Sequence, residues 1–368
     1  MKQKLLAAFM VLALIIAVSG CAPSDPAQEN GNADNRQQPV ETIVWRVQGF
    51  TPPGTLFYTW LEDLAELVEE LSGGRLIFDT YPPGAIVPPF EALSAVRDGV
   101  LDANHGYPGM WIGHNIAAPL FNSVPGGFLA QDQAMWLYEG GGMELYQEMM
   151  DPFNAKILVA GLIGMEIFMW SETPMHTIDD MRGKQLRMMP LMGEILGDND
   201  LSVVFLPGGE IIPSLERGVL DAAEYSIPAF DITLGFQDVA NYYHYPGIHQ
   251  PASFLELAIN QGKWNELPDD LKSILEHACR LSVFDIWIES EAENIRVLEQ
   301  FEEMGLEQIV MEEESVTTMM NWSNEWMDEK SAEDPFFAKV RESQVEFSKW
   351  WYPYKEATSL PIPAWALD

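Results

Sequence analysis

Arg187 is the residue of this sequence whose surroundings most call for a chemical explanation. Apolar Leu186 and Met188 flank it on a stretch, 184–189, that reads as a short β-strand, in a chain with only 20 lysines and arginines. A strand arginine in such a setting needs an anionic partner. Two readings fit: a structural ion pair with one of the 56 aspartates and glutamates, or a bidentate clamp on a substrate carboxylate. An acidic protein that binds an anion needs local positive charge, and a bound cation would add to that of one arginine. Hard cations take carboxylate and carbonyl oxygens, and Glu166, Glu224 and Gln250, all at turn-like positions, are candidate donors. Taken singly, each also fits a solvated or structural polar residue.

No catalytic signature accompanies these residues. The chain has no Gly-x-Ser-x-Gly elbow, no His-Glu-x-x-His, no Walker loop and no Gly-x-Gly-x-x-Gly. Gly140-Gly141-Gly142 precedes a helical run, 143–149, but with no Lys or Arg nearby it reads as a flexible helix entry and not as a phosphate cradle. His244 and His249 lie among aromatics. Six histidines without paired helical spacing read as ordinary hydrogen-bonded side chains, not as metal ligands. A hydrolase built on Glu166 and Glu224 would therefore lack a ligand motif. A sugar- or polyol-binding protein, stacking rings on some of the 12 tryptophans, is the other alternative.

The elements that must position these residues follow from pattern. Residues 42–48 read as a strand, 49–54 as a turn, and Thr55 as the cap of a helix with Phe57, Leu61, Leu64, Val68 and Leu71 at helical spacing. Gly73-Gly74 stop it and 75–81 form the next strand, so the unit is βαβ and a parallel sheet with covering helices is expected. Ligands sit beyond the carboxyl ends of such strands, which nominates Gly49, Phe50 and Thr51. Gly99-Val100-Leu101-Asp102-Ala103 recurs letter for letter as Gly218-Val219-Leu220-Asp221-Ala222, each copy after an amphipathic helix. Two similar α/β lobes are expected, with Asn104, His105 and Tyr107 from one and Glu224 and Tyr225 from the other facing a cleft between them. Further strands are expected at 156–161 and 203–206, and a helix over 269–304 would run some 50 Å at about 1.5 Å per residue, enough to brace both lobes. The aromatic-rich tail 334–361 should pack on this chain or on a partner.

The 368 residues are too many for one core, which agrees with two lobes, and 47% hydrophobic content excludes a largely disordered chain. The net charge of −36, with no cluster of Lys or Arg, argues against nucleic acid as a partner. Lys2 and Lys4 precede an apolar run of 14 residues, 5–18, of signal-peptide length, ending in Val18-Ser19-Gly20-Cys21. This resembles a bacterial lipobox with Cys21 as the lipidated residue, and a polar tether, 21–41, follows. Loss of the two signal lysines takes the charge from −36 to −38, which suggests a saline habitat. The other cysteine, Cys279, lies in an apolar helical pattern and reads as a buried core thiol.

At this point the chain is identified by motif. Gly84-Ala85-Ile86-Val87-Pro88 with Phe90-Glu91, Trp136-Leu137-Tyr138, Asp151-Pro152-Phe153-Asn154, Leu206-Pro207-Gly208-Gly209-Glu210-Ile211, Asp221-Ala222-Ala223-Glu224 and Tyr242-Tyr243-His244-Tyr245-Pro246-Gly247 with His249 occur in order. Over roughly residues 43–345 it resembles the DctP-like extracytoplasmic solute-binding subunits of tripartite ATP-independent periplasmic (TRAP) transporters, and most of all their 2-oxo-acid-binding subgroup. The resemblance implies an α/β, two-lobed periplasmic-binding-protein-like (type II-like) fold with a long bracing helix and C-terminal helices. Lobe 1 would comprise 42–160, lobe 2 161–250, and 251–368 would return to lobe 1.

It further implies a non-enzymatic, extracytoplasmic protein, in the periplasm or at the cell surface, that delivers a small organic acid to a membrane permease. Arg187 stands at the carboxylate-holding position. Glu166, Glu224, Tyr225 and Gln250 stand at positions associated with one bridging cation, sodium or calcium, with no organic cofactor. A homodimer through the aromatic C-terminal helix is expected from the same likeness. Where a Tyr-Tyr pair is expected before a tryptophan, this chain has Gly109-Met110-Trp111, with Tyr107 ahead. Loss of two phenols predicts a larger, less polar pocket, walled by Phe50, Tyr107 and Trp111, for a bulkier 2-oxo or 2-hydroxy acid than pyruvate.

Overall fold

The computed structural model of the protein describes residues 42–363. The expected signal segment, Cys21 and the tether lie outside the described residues. Among the described residues no helix is long and apolar enough to cross a membrane.

Among the described residues, eleven strands form two sheets. In chain order they are β1 (Ile43–Gln48), β2 (Leu76–Tyr81), β3 (Ala103–Gly106), β4 (Ala155–Ile163), β5 (Met169–Ser171), β6 (Gln185–Arg187), β7 (Ser202–Val204), β8 (Ala222–Ala223), β9 (Tyr242–Tyr245), β10 (Ser253–Asn260) and β11 (Glu307–Val310). The first sheet has the order β2-β1-β3-β10-β4, and the second the order β11-β9-β5-β8-β6-β7. Read from its other edge, the second begins β7-β6-β8-β5-β9 and repeats the first position by position. In each, the strand that came from the opposite sheet is antiparallel to its neighbours: β10 to β3 and β4, and β5 to β8 and β9. The two sheets are thus joined by short crossovers at 164–168 and 246–252, and a third time through 261–306, which leads from β10 to β11. Residues 307–310, expected in the return to the first lobe, instead extend the second sheet, where β11 pairs with β9.

The repeated pentapeptide holds equivalent places before β3 and β8. Gly99 and Gly218 adopt left-handed φ values of 72° and 65°, which a glycine takes without steric cost, and so end their helices. The next N–H groups, of Val100 and Val219, reach back to Ala95 and Ser214 carbonyls at 2.9 Å each. Each aspartate then ties two strands together. Asp102 Oδ2 accepts the Arg46 backbone N–H at 2.8 Å, and Asp221 Oδ2 accepts that of Gln185 at 2.7 Å. Identical letters therefore perform one local task twice.

The helix Leu56–Ser72 begins where expected, but Thr55 does not cap it through its side chain. Its hydroxyl donates instead to the Pro52 carbonyl at 2.7 Å, in the turn that precedes the helix. The helix Asp269–Glu303 braces both lobes. Leu271, Leu275, Ala278 and the buried Cys279 join the core beneath the first sheet, whereas Val297 and Phe301 join the core of the second. Helices Glu313–Glu333 and Pro335–Thr358 follow, and the last is anchored by Trp351 and Lys355, which bond Asp132 at 2.8 and 2.7 Å.

Candidate ligand- and cation-binding site

A cavity of about 400 Å³ opens between the two sheets. The first sheet lines it with Phe50 and Thr51, just past β1, with Tyr107, just past β3, and with Leu255 of β10. The second supplies Arg187 at the end of β6 and Tyr225 and Ser226 just past β8. Glu166 comes from one short crossover, and His249 and Gln250 from the other. The crossovers also bond each other: the Glu166 N–H donates to the Gln250 carbonyl at 3.2 Å, and Gln250 Nε2 donates to Glu166 Oε1 at 2.8 Å.

Strand alternation places Leu186 and Met188 in apolar surroundings and turns Arg187 to the cavity. Its guanidinium is 3% exposed and firmly held. Nη1 donates to Glu224 Oε1 at 2.6 Å and to the Glu224 carbonyl at 2.8 Å, while Nε donates to the Leu206 carbonyl at 3.1 Å. The rings of Phe205 and Tyr225 lie 5.3 and 5.7 Å from its central carbon. An arginine carries five N–H donors, and these bonds use those of Nε and Nη1. Nη2 has only the Met189 sulfur, at 3.9 Å, and no oxygen partner. Both sequence readings of Arg187 thus have a physical basis, since the ion pair with Glu224 leaves one edge of the fork unused.

Glu224 is fully buried and does not reach the cavity wall; its Oε2 has no hydrogen-bond partner. His249, read from sequence as an ordinary hydrogen-bonded histidine, is 4% exposed with neither ring nitrogen bonded. Its Nε2 lies 3.3 Å from Glu166 Oε2 and 3.7 Å from Glu224 Oε2. One ligand atom from each of Glu166, Glu224 and His249 falls within 4.8 Å of the others, in a fully buried cluster. The sequence signals for His249 were its adjacency to Gln250 and its place just after the Tyr242–Gly247 motif. His244 does conform to the structural reading, with Nδ1 on the Met169 carbonyl and Nε2 accepting the Met175 N–H.

The other expected residues divide. Phe50, Tyr107, Tyr225, Glu166 and Gln250 line the cavity, and Tyr225 stacks on Phe230 at 5.5 Å. Gln250 turns its amide nitrogen toward Glu166 and so orients that carboxylate, where an oxygen donor to a cation was expected. Trp111 is a correction. It is 1% exposed and turns into the core, where its indole N–H donates to Glu256 Oε1 at 2.5 Å, because that buried carboxyl needs a donor. Asn104 and His105 are corrections as well: Asn104 donates to the Gln48 carbonyl at 2.7 Å, and His105 is buried away from the cavity.

Burial raises the Glu166 carboxyl to about 7; His249 and Arg187 oppose the rise and Glu224 adds to it. The Tyr107 phenol is pushed up by burial and by Tyr225 and Glu166. The unpartnered Glu224 Oε2 and the nearby Glu166 carboxylate give one buried cluster two carboxylates that fit a hard cation, which would offset their charge.

Comparison with known proteins agrees with this architecture. The model of the family described as bacterial extracellular solute-binding protein, family 7 (DctP), matches residues 48–334. A monocarboxylate 2-oxoacid-binding periplasmic protein of Nostoc sp. is 28% identical over 329 residues, 89% of this chain and 90% of that protein. A TRAP transporter solute-binding protein of Bordetella bronchiseptica, crystallised as a mixed-occupancy dimer with copurified calcium and picolinate, is 25% identical with a TM-score of 0.81, covering 86% of this chain and 95% of that one. A TRAP periplasmic solute-binding protein of Pseudoalteromonas atlantica, with bound sodium and pyruvate, is 27% identical with a TM-score of 0.79, covering 86% and 97%. With the two-lobed fold, the repeated unit and the family match in agreement, the chain belongs to the DctP family of bacterial extracellular solute-binding proteins, the extracytoplasmic binding subunits of TRAP transporters.

Proposed function

We propose that this protein captures a small organic acid, a 2-oxo or 2-hydroxy monocarboxylate, together with a bridging cation, and hands it to a TRAP membrane permease. The observation that carries the reading is the guanidinium of Arg187, buried and fixed by Glu224 and Leu206, with Nη2 free of any oxygen partner at the cavity wall. A carboxylate placed there would complete the fork. The Nostoc relative and the crystallised neighbours, which bind 2-oxo acids or other carboxylates, support it.

Glu166 and Glu224 would hold the cation through carboxylate oxygens, with His249 beside them. Bound there, it would supply the positive charge that lets a carboxylate enter a site already containing two carboxylates. Two glutamates and a monoanionic ligand bring three negative charges against one from Arg187, so a divalent ion leaves the site neutral. This favours calcium over sodium. We read the site as one of binding and not of catalysis. Lipid anchoring at Cys21 and a homodimer through the C-terminal helix, where Trp350 and Tyr354 are each 62% exposed, belong to the same reading. Intact mass of the protein from membranes tests the first, and sedimentation the second.

A thermal-shift matrix tests the function: metal-stripped protein with 2-oxo acids, 2-hydroxy acids, dicarboxylates or sugars, each with calcium, sodium or neither. A ligand at about a thousand times its dissociation constant adds roughly 4 kcal/mol, so a midpoint shift of several degrees is expected for a monocarboxylate with calcium. A shift from sugars, or from acids regardless of cation, would favour the neutral-ligand reading or remove the cation from the site.

A further inference from the structure

We infer that the cavity is built for an acid with an apolar tail of several carbons, branched or aromatic, and that Arg187 and the cation site grip only its head. This rests on the reading that the ligand is a carboxylate. Of the 27 residues lining the cavity, Glu166, Arg187 and His249 are the only acidic or basic ones. Most of the others offer carbon or sulfur. From the first lobe come Phe57, Met110 and Ile112, and from the second Met189, Leu191 and Met192.

The space matches the wall. A three-carbon acid has about the bulk of four water molecules, at roughly 30 Å³ each. It would occupy under a third of a cavity of about 400 Å³ and leave the remainder as water against apolar side chains. That remainder is where an apolar tail gains affinity. Each methylene moved from water into such surroundings contributes about 0.8 kcal/mol, close to a fourfold gain in binding. The wall is also adaptable. Met110, Met189 and Met192 are unbranched and polarizable, so they can follow tails of different shape where a β-branched wall would fix one.

Gly109 offers a way to shorten the chamber. It lines the cavity without a positive φ, and a Cβ built there would meet only side chains: the Tyr107 ring at 3.0 Å and the Asn122 amide nitrogen at 3.7 Å. A large residue is therefore tolerable to the backbone and would project into space that a tail would use.

The test is calorimetric titration of the protein, saturated with calcium, with pyruvate, 2-oxobutanoate, 2-oxopentanoate, 4-methyl-2-oxopentanoate and phenylpyruvate. Affinity should climb along the series, with 4-methyl-2-oxopentanoate at least tenfold tighter than pyruvate. The Gly109→Phe variant, checked for folding by its melting temperature, should lower that ratio at least tenfold. Pyruvate binding as tightly as the longer acids, or a ratio unchanged in the folded variant, overturns the apolar chamber and leaves the carboxylate reading standing. Failure of every acid in the series overturns both.

Discussion

A Cβ added to Gly247 would collide with the Glu166 carbonyl oxygen and lie 2.7 Å from its carbonyl carbon. The two short crossovers between the lobes therefore pass at backbone contact, and this contact carries Glu166 on one strand past His249 and Gln250 on the other. Site and lobe junction are one piece of structure. A ligand or cation that draws on both crossovers acts where the lobes are tied together.

Gly247→Ala should disturb both properties. Neither crossover can yield without moving Glu166, so a stability loss of about 1–3 kcal/mol is expected, the usual scale for overpacking. Calcium affinity should weaken in the same variant. The control is Gly209→Ala in the helix Gly208–Glu216, where an added Cβ meets nothing within 4 Å. Differential scanning calorimetry and calcium titration of the two variants check the contrast.

Arg187→Ala should abolish acid binding at least a hundredfold. It deletes the ligand donor and leaves Glu224, which is fully buried, without its counter-charge, a change on the scale of 2–5 kcal/mol. Arg187→Lys should recover stability better than affinity, because an ammonium can pair with Glu224 but cannot reproduce the planar fork. Equal recovery of both in a titration would count against a bidentate contact.

Glu166→Gln tests the charge balance. The amide keeps the shape and can still meet Gln250, but it removes one of two carboxylates from the buried cluster. Calcium affinity should fall at least tenfold, while sodium should lose much less or gain, as judged from titrations with each ion in the presence of acid. Unchanged calcium binding would take Glu166 out of the cation site.

Glu256 makes a prediction about pH that does not involve the ligand. Burial raises its carboxyl to about 8, and the Trp111 N–H only partly offsets this. A carboxyl whose folded value lies above its unfolded value of about 4.5 binds more protons folded than unfolded between the two. Its contribution is present in acid and is lost as pH rises through that window, at roughly 1.4 kcal/mol per pH unit. Glu256→Gln keeps an oxygen for Trp111 and removes the ionisation. The variant should match the parent near pH 5 and melt at a higher temperature at pH 8. A difference that is flat across pH would refute the buried, protonated carboxyl.

The sequence by itself determined the local matter: the βαβ opening, the long helix, the strand carrying Arg187, and two copies of one pentapeptide. These are legible because hydrophobic period, glycine position and turn chemistry act over a few residues, and a repeated local task leaves repeated letters. Turn-like positions made Glu166, Glu224 and Gln250 candidate cation donors, and the family resemblance singled out the same residues. Partners were another matter. Arg187 and Glu224 are 37 residues apart, Gln250 and Glu166 are 84 apart, and Trp111 finds Glu256 across 145. Nothing in the spacing selects Glu224 from 56 acidic residues, turns Trp111 away from the cavity, or brings His249 to two carboxylates. Those choices were made when the strand order placed β6 beside β8 and drew the two crossovers into contact. Buried polar groups then took whichever partners that topology set within reach, since leaving them without partners costs more than any local preference returns.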